Sequence, residues 1–361
     1  MERAEETPYQ PRSPSGRAEG SARPDDVEAA RELVGQARAA EQQDQTPKAL
    51  GLYDDALAHF HPDSFHPFVA DILRWKGTLL RERGETEAAY RCYSHSLAKA
   101  SRAHYEAGQA HALNCLAIVA QRRGEQKETD RLYRKAAALA EKTGEQRLLG
   151  MIEQNRGVLA NMRGDFAAAA VSYSKSLTAF EEAGDIEAVS WVLNNIGMLH
   201  TKLLSFGDAL ESLERGLAIA ISRKDAIVES IIVLNLAEAR LGLGQLELAE
   251  ELCTRSLEAA QRRGDHLTAA GALKCKAGIE RERGALDKSI ATLRIAIYEA
   301  EGAEDRLLHA EMLRELGEIS RSLGNPGAAK SAWREAAESF KLVGARHDLA
   351  DLQSRMNALP G

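Results

Sequence analysis

The chain of 361 residues lacks any long apolar run and any signal-type N-terminus. No stretch approaches the roughly 18 consecutive apolar residues that read as a membrane-spanning helix. The N-terminal sequence Met-Glu-Arg-Ala-Glu-Glu has neither the basic nor the apolar region of a secretory signal peptide. We therefore expect a cytoplasmic protein without a membrane partner.

Sequence motifs of the common enzyme classes are absent as well. The chain contains no G-x-S-x-G, no phosphate-binding loop, no H-E-x-x-H and no G-x-G-x-x-G. Its histidines are scattered, with no carboxylate or nucleophile at a recurring distance. We predict that the protein is not an enzyme and binds no cofactor.

Cysteine is scarce, and positive charge does not predominate. The cysteines show no C-x-x-C spacing and fall on core or near-core helix positions, which favours buried free thiols. The net charge of -7 argues against a general nucleic-acid-binding role, although a local basic groove is compatible with it. The four cysteines are Cys92, Cys115, Cys253 and Cys275.

What the chain does contain is a 40-residue unit, repeated without insertion along nearly its whole length. Its first marker is a small residue, always Ala or Gly. Seven residues later comes a turn glycine, for which Asp44 and Leu204 are the only substitutes. Because the later markers stay in register after Leu204, we predict a glycine-free turn there. The small residues are Ala37, Gly77, Ala117, Gly157, Gly197, Ala237, Ala277 and Gly317.

A second group of markers follows the turn: Ala in most copies, then a large residue, then another small one. Small side chains let two helix axes approach closely, and the large residue fills the groove between them. The pattern therefore favours helix pairs that stack on one another. The large positions are Tyr53, Tyr93, Tyr133, Tyr173, Leu213, Cys253, Leu293 and Trp333.

This series of residues resembles the tetratricopeptide-repeat (TPR) family. The usual unit has about 34 residues and ends in Pro, whereas this period is 40 and the Pro position never holds Pro. The chain is thus similar to the long-helix variety of kinesin light chains, cell-polarity adaptors and bacterial peptide-sensing regulators. The resemblance implies an all-α, right-handed α-solenoid of about eight helix pairs. HEAT and armadillo repeats share the period but do not predict this residue series.

The repeats divide the chain into three parts. Residues 1–24 hold four of the nine prolines and few apolar residues, so we predict a disordered tail. Residues 25–345 form the solenoid of eight repeats. Residues 346–361 place Leu349 and Leu352 on one apolar face, which predicts a C-terminal capping helix.

One connection, residues 59–66, is rich in groups that bind metals. His59, His61, Asp63 and His66 would meet a zinc ion if the loop folded back on itself. Since no other repeat supplies a fitting partner, we expect an exposed loop held by its phenylalanines and no metal site.

The candidate binding residues lie on the first helix of each pair, which in TPR proteins lines the concave surface. Asn is a poor residue for a helix interior, so its recurrence here needs a reason. Either these carboxamides hold the backbone of an extended peptide, as asparagine ladders do in several TPR proteins, or they bond between neighbouring helices. The asparagines are Asn114, Asn155, Asn194, Asn195 and Asn235.

Other side chains accompany this row. Trp191 and Met198 are possible apolar contacts, and Arg74, Lys274 and Arg314 would suit an acidic partner. The two-carboxylate clamp of the family is not reproduced. We hypothesise a non-enzymatic scaffold that binds an extended peptide or protein segment. The alternative is a bacterial peptide- or partner-responsive sensor acting on a separate output protein, and self-association also remains open.

Overall fold

The computed structural model describes residues 23–302 and 305–358, and the predicted tail lies almost wholly outside them. Within these ranges the chain forms seventeen α-helices and no β-strand. None of these helices is long and apolar enough to cross a membrane. The helices are α1 (Pro24–Glu41), α2 (Thr46–Ala58), α3 (Pro67–Glu82), α4 (Thr86–Arg102), α5 (Glu106–Arg122), α6 (Gln126–Thr143), α7 (Gln146–Arg163), α8 (Phe166–Glu182), α9 (Ile186–Lys202), α10 (Phe206–Arg223), α11 (Ala226–Gly242), α12 (Leu246–Arg263), α13 (His266–Glu282), α14 (Leu286–Gly302), α15 (Arg306–Ser322), α16 (Pro326–Val343) and α17 (Arg346–Asn357).

The helices pack as consecutive pairs, for example α1 with α2 and α15 with α16, and α17 packs on α16. They belong to two compact units, residues 1–152 and residues 153–361. The predicted all-α solenoid of eight helix pairs followed by a single helix is confirmed.

The repeat markers make the contact within each pair. Tyr53, Tyr93 and Tyr133 are each at most 1% exposed. A Cβ on Gly77 would lie only 2.8 Å from the Tyr93 ring, so the small residue of the first helix makes room for the large residue of the second. Packing of this density explains why the two positions recur together.

The turns within the pairs need a left-handed backbone, and glycine supplies it in most repeats. Leu204 has φ 60° and Asp44 has φ 55°, so both substitutes adopt the conformation that glycine takes elsewhere. The prediction of a glycine-free turn at Leu204 is confirmed. A non-glycine residue in this region costs about 1–2 kcal/mol, which the packing around the turn must offset.

The first helices of successive pairs also contact one another. In the first unit α3 contacts α5; in the second, α9 contacts α11, α11 contacts α13, and α13 contacts α15. We call the odd-numbered helices α1 to α15 the first-helix layer of the unit in which they lie. All the candidate binding residues lie on these helices.

The connection at residues 59–66 is built from local hydrogen bonds. His66 Nδ1 accepts from the Phe68 N–H and caps α3. Lys99 donates to the carbonyl oxygens of Ser64, at 3.0 Å, and of Pro62. Across residues 23–302 and 305–358, no three His, Cys, Asp or Glu side chains are grouped to hold a metal ion.

The cysteines and the apolar face of α17 differ in how deeply they are buried. All four cysteines are free, and Cys253 and Cys275 are buried as predicted. The prediction of burial is wrong for Cys92 and Cys115, which are only half-buried. In α17, Leu352 is fully buried in a core cluster with Trp333 and Phe340. The apolar face of α17 therefore covers the last helix pair.

Candidate functional site

The asparagine row on the first-helix layer divides into buried and half-buried members. Asn114, Asn194 and Asn235 are 4%, 3% and 7% exposed. Asn155 and Asn195 are half-buried. The row therefore does not present one uniform surface.

Two of the buried amides bond to each other. Asn235 Nδ2 on α11 donates to Asn194 Oδ1 on α9 at 2.7 Å. This bond joins neighbouring first helices and satisfies polar groups that would be costly to bury alone. Asn194 Nδ2 in turn lies 3.6 Å from Met198 Sδ, a weak acceptor. For this pair the structure shows the bridging arrangement.

The half-buried side chains of α9 form a different surface. Trp191, Asn195 and Met198 are spaced four and three residues apart, which places them on one face of the helix. Trp191 packs one side against the core cluster of Ala209 and Leu213. No hydrogen-bond partner of the Asn195 side chain lies in the described part of the chain. This face thus carries an amide, a thioether and an indole.

The difference between the two kinds of asparagine is testable. Asn235→Ala should lower the free energy of unfolding by about 1–3 kcal/mol, because it leaves the buried Asn194 oxygen without its donor. The matched variant Asn195→Ala should change it by less than about 0.5 kcal/mol. Urea denaturation of both variants measures the difference. Equal losses in the two variants would contradict this assignment.

The predicted basic residues of the second unit are engaged in ion pairs. Lys274 Nζ on α13 lies 2.8 Å from Glu311 Oε2 on α15 and 3.3 Å from Glu238 Oε1 on α11. Arg281 Nη1 lies 2.8 Å from Glu315 Oε1. These five side chains, which we call the paired cluster, connect three successive first helices. All of them except Glu238 line part of a cavity of about 540 Å³.

Arg314 is engaged as well. Its Nη1 lies 2.6 Å from Asp348 Oδ1 and so connects α15 with α17. Its carbonyl oxygen accepts from Trp333 Nε1 at 3.0 Å. The chain itself therefore supplies the carboxylates that the sequence analysis had assigned to a partner of Lys274 and Arg314.

Burial and charge act against each other in the paired cluster. Burial by itself lowers the pKa of Lys274, but Glu238 and Glu311 outweigh it and hold this pKa above its usual range. Burial raises the pKa of Glu311, yet Lys274 and Lys202 lower it to about 2. The pKa of Glu315 is raised, since burial there exceeds the effect of Arg281 and Lys274. Lys274 and Glu311 are thus a charged pair at neutral pH.

Arg74, in the first unit, has a different environment. Its Nη2 lies 3.2 Å from Asp71 Oδ1, in the preceding turn of the same helix. Its guanidinium carbon lies 5.4 Å from the centre of the Trp75 ring. A second arginine, Arg81, lies two turns further along α3. Within the described residues its ion-pair partner is Glu82, at 3.6 Å.

The sequence analysis missed the acidic half of the paired cluster. Glu238, Glu311 and Glu315 stand 36, 37 and 34 residues from their cationic partners, close to one repeat length. Opposite charges separated by nearly one repeat on first helices are the signal that identifies them. A single repeat does not show this charge pattern, because each repeat carries only one member of a pair.

No protein-family model and no curated protein sequence matches the chain. Solved structures do resemble it. The apo form of the quorum sensor NprR from B. thuringiensis has a TM-score of 0.62 and 14% identity, with 86% of this chain and 87% of that chain covered. A Rap protein complexed with competence and sporulation factor has a TM-score of 0.56 and 13% identity, with 91% and 97% covered.

A third similar structure is a signal-transduction ATPase with a tetratricopeptide repeat sensor from Pyrococcus horikoshii. Its TM-score is 0.59 at 15% identity, and it covers 91% of this chain. This chain spans 50% of that protein's length. At such identities the likeness concerns the fold. Together with the eight repeats in register, it shows that the chain has the fold of tetratricopeptide-repeat proteins.

Proposed function

We propose that this chain is a non-enzymatic binding protein that holds an extended segment of a partner protein against its first-helix layer. The observation that carries the proposal is the face of α9 formed by Trp191, Asn195 and Met198. An indole and a thioether contribute apolar contact, and the carboxamide both donates to and accepts from a peptide backbone.

The internal contacts of the layer support a smaller set of binding residues. Asn194 and Asn235 use their amides on each other, and Lys274 and Arg314 are neutralised by carboxylates of the chain. In this proposal these residues position the layer, and Asn195 faces the ligand. Only part of the asparagine row therefore keeps the proposed peptide-binding role.

A regulatory variant of the same function is favoured by the similar solved structures. One is a quorum sensor, one contains a repeat sensor, and one is complexed with competence and sporulation factor. In this variant the bound segment is a signal, and the chain acts on a separate output protein. Light scattering of the purified protein with and without ligand tests whether self-association is part of the response.

The test begins with capture of partners by the intact protein, followed by overlapping synthetic peptides covering each captured partner. We expect one linear peptide to bind the wild type and to bind Asn195→Ala/Met198→Ala about tenfold more weakly, a loss of roughly 1.4 kcal/mol. The control is Ser174→Ala/Lys175→Ala, two exposed residues of α8. A partner that binds both double variants as tightly as the wild type would overturn the proposal.

A further inference from the structure

The paired cluster has a counterpart in the first unit, five repeats earlier in the chain. Because the repeat length is constant, every position on α11, α13 and α15 has an equivalent on α1, α3 and α5. The equivalents of Lys274 and Arg281 are Arg74 and Arg81, so both cations are retained. The charged side chains at equivalent positions of the two units can therefore be compared directly.

All three carboxylates of the paired cluster are replaced at the equivalent positions. Arg38 stands where Glu238 stands, His111 where Glu311 stands, and Cys115 where Glu315 stands. We call Arg38, Arg74, Arg81, His111 and Cys115 the basic cluster. It keeps the cations of the paired cluster, loses their partners and adds a third guanidinium.

The structure places these groups together within the first unit. The guanidinium carbon of Arg38 lies 4.3 Å, and that of Arg74 5.4 Å, from the centre of the same Trp75 ring. The charges of Arg74 and Arg81 both act on Cys115, although burial is the main cause of the raised pKa of its thiol.

Internal carboxylates compensate this charge only partly. Asp71 bonds Arg74, and its equivalent in the paired cluster is Gly271. Glu82 lies 3.6 Å from Arg81, but its equivalent Glu282 is also present beside Arg281, so it replaces none of the lost carboxylates. Relative to the paired cluster, the basic cluster has therefore lost three carboxylates, and Asp71 replaces one of them beside Arg74.

The arginines of α3 are held in place but incompletely bonded. The side chains of Arg74 and Arg81 are 17% and 20% exposed, so most of each is packed against the protein. The Nε atom of each is buried and has no acceptor. Buried donors without acceptors are uncommon and call for an explanation.

His111 does not replace the negative charge of Glu311, and nearby arginine charges help to lower its pKa. Burial, together with the charges of Arg74 and Arg147, lowers its pKa to about 4. The imidazole is therefore neutral at pH 7.

We propose that the basic cluster is a binding site for an acidic protein segment, whose side-chain carboxylates take the places that Glu311 and Glu315 take in the paired cluster. The proposal deepens the proposed function, on which it rests, by giving the partner a chemistry. Arginine binds carboxylates through two parallel hydrogen bonds, which favours this ligand over a neutral one.

The spacing of the lost carboxylates describes the segment further. Glu311 and Glu315 are four residues apart on one helix, so their Cβ atoms lie about 5–6 Å apart. Alternate side chains of an extended chain are separated by roughly 6–7 Å and project from the same side. A segment with Glu or Asp at alternate positions therefore fits. Nucleic acid fits less well, because it needs a longer basic stripe and meets a net charge of -7.

The direct test is fluorescence anisotropy with a fluorescein-labelled hexaglutamate peptide and the full chain. We expect hexaglutamate to bind the wild type and hexaglutamine not to bind. His111→Glu/Cys115→Glu restores the carboxylates of the paired cluster and should weaken binding by about tenfold or more. The matched variant His111→Gln/Cys115→Ser changes the same positions without adding charge and should bind within about twofold of the wild type.

Several outcomes would overturn the proposal. These are equal binding of hexaglutamate and hexaglutamine, undiminished binding by the double-Glu variant, and tighter binding of an oligothymidylate than of hexaglutamate. Thermal melts check folding, and if the double-Glu variant is unfolded, Arg81→Gln takes its place with the same expected loss.

The variant Asn195→Ala/Met198→Ala separates this proposal from the proposed function. It alters the other unit and should leave hexaglutamate binding unchanged. If hexaglutamate does not bind the wild type while captured peptides still bind through Asn195 and Met198, the acidic site is wrong and the proposed function stands. If hexaglutamate binds as expected and captured peptides are insensitive to Asn195 and Met198, the α9 surface is wrong.

Discussion

Lys274→Met is expected to lower the free energy of unfolding by about 3–5 kcal/mol at pH 7. The substitution removes the cation between Glu238 and Glu311, and Glu311 is left in a site where its side chain is only 17% exposed. Breaking a buried pair costs far more than losing a surface pair because the remaining charge is neither solvated nor neutralised. Lys276→Met, an exposed position on the same helix, should cost less than about 0.5 kcal/mol.

The pH dependence of this loss follows from Glu311. Its pKa in the folded protein is about 2, below the ordinary value of 4.5. A lowered carboxyl pKa contributes stability that is present above about pH 4.5 and is lost as the pH falls toward 2. In Lys274→Met most of this contribution is missing, because only Lys202 and Arg314 still lower the pKa of Glu311. The variant and the wild type should therefore differ most near neutral pH and converge in acid. Urea denaturation at several pH values measures both effects, and a difference that is constant from pH 7 to pH 3 would contradict them.

Trp333→Ala should cost about 3–5 kcal/mol, the usual cost of truncating a buried aromatic side chain to Ala. Trp333 is fully buried, and its Nε1 donates to the Arg314 carbonyl at 3.0 Å. A Cβ on Gly317 would lie 2.2 Å from that nitrogen, so the indole occupies the space that the glycine leaves open. Removing it creates a cavity between α15 and α16.

Because a solenoid is stabilised mainly between neighbouring repeats, the damage should be local. Hydrogen exchange should show lost protection in α15, α16 and α17, with α9 and α11 much less affected. The control is Tyr298→Ala, an aromatic residue of α14 that is 74% exposed and should cost less than about 0.5 kcal/mol. A uniform loss of protection along the whole chain would show that the repeats do not unfold independently.

The repeat register is the part of this protein that residue types alone determined. Gly77 and Tyr93, or Gly317 and Trp333, are complementary in volume, and such a pair is legible in the sequence because it recurs every 40 residues. The turn at Leu204 was predictable for the same reason. The markers on both sides of Leu204 allow one register only, so an unfavourable residue in the turn does not change the fold.

The partner of each polar side chain was decided by the tertiary structure. Asn194, Asn195 and Asn235 are the same residue type on two neighbouring helices, yet two are buried against each other and one is half-buried. Lys274 and Arg74 occupy equivalent positions, but α15 brings Glu311 to one and α5 brings His111 to the other. Helix formation depends on residues a few positions apart, whereas an ion pair or an amide bond depends on which side chain the neighbouring helix presents within about 3 Å. That distance exists only after the helices have stacked.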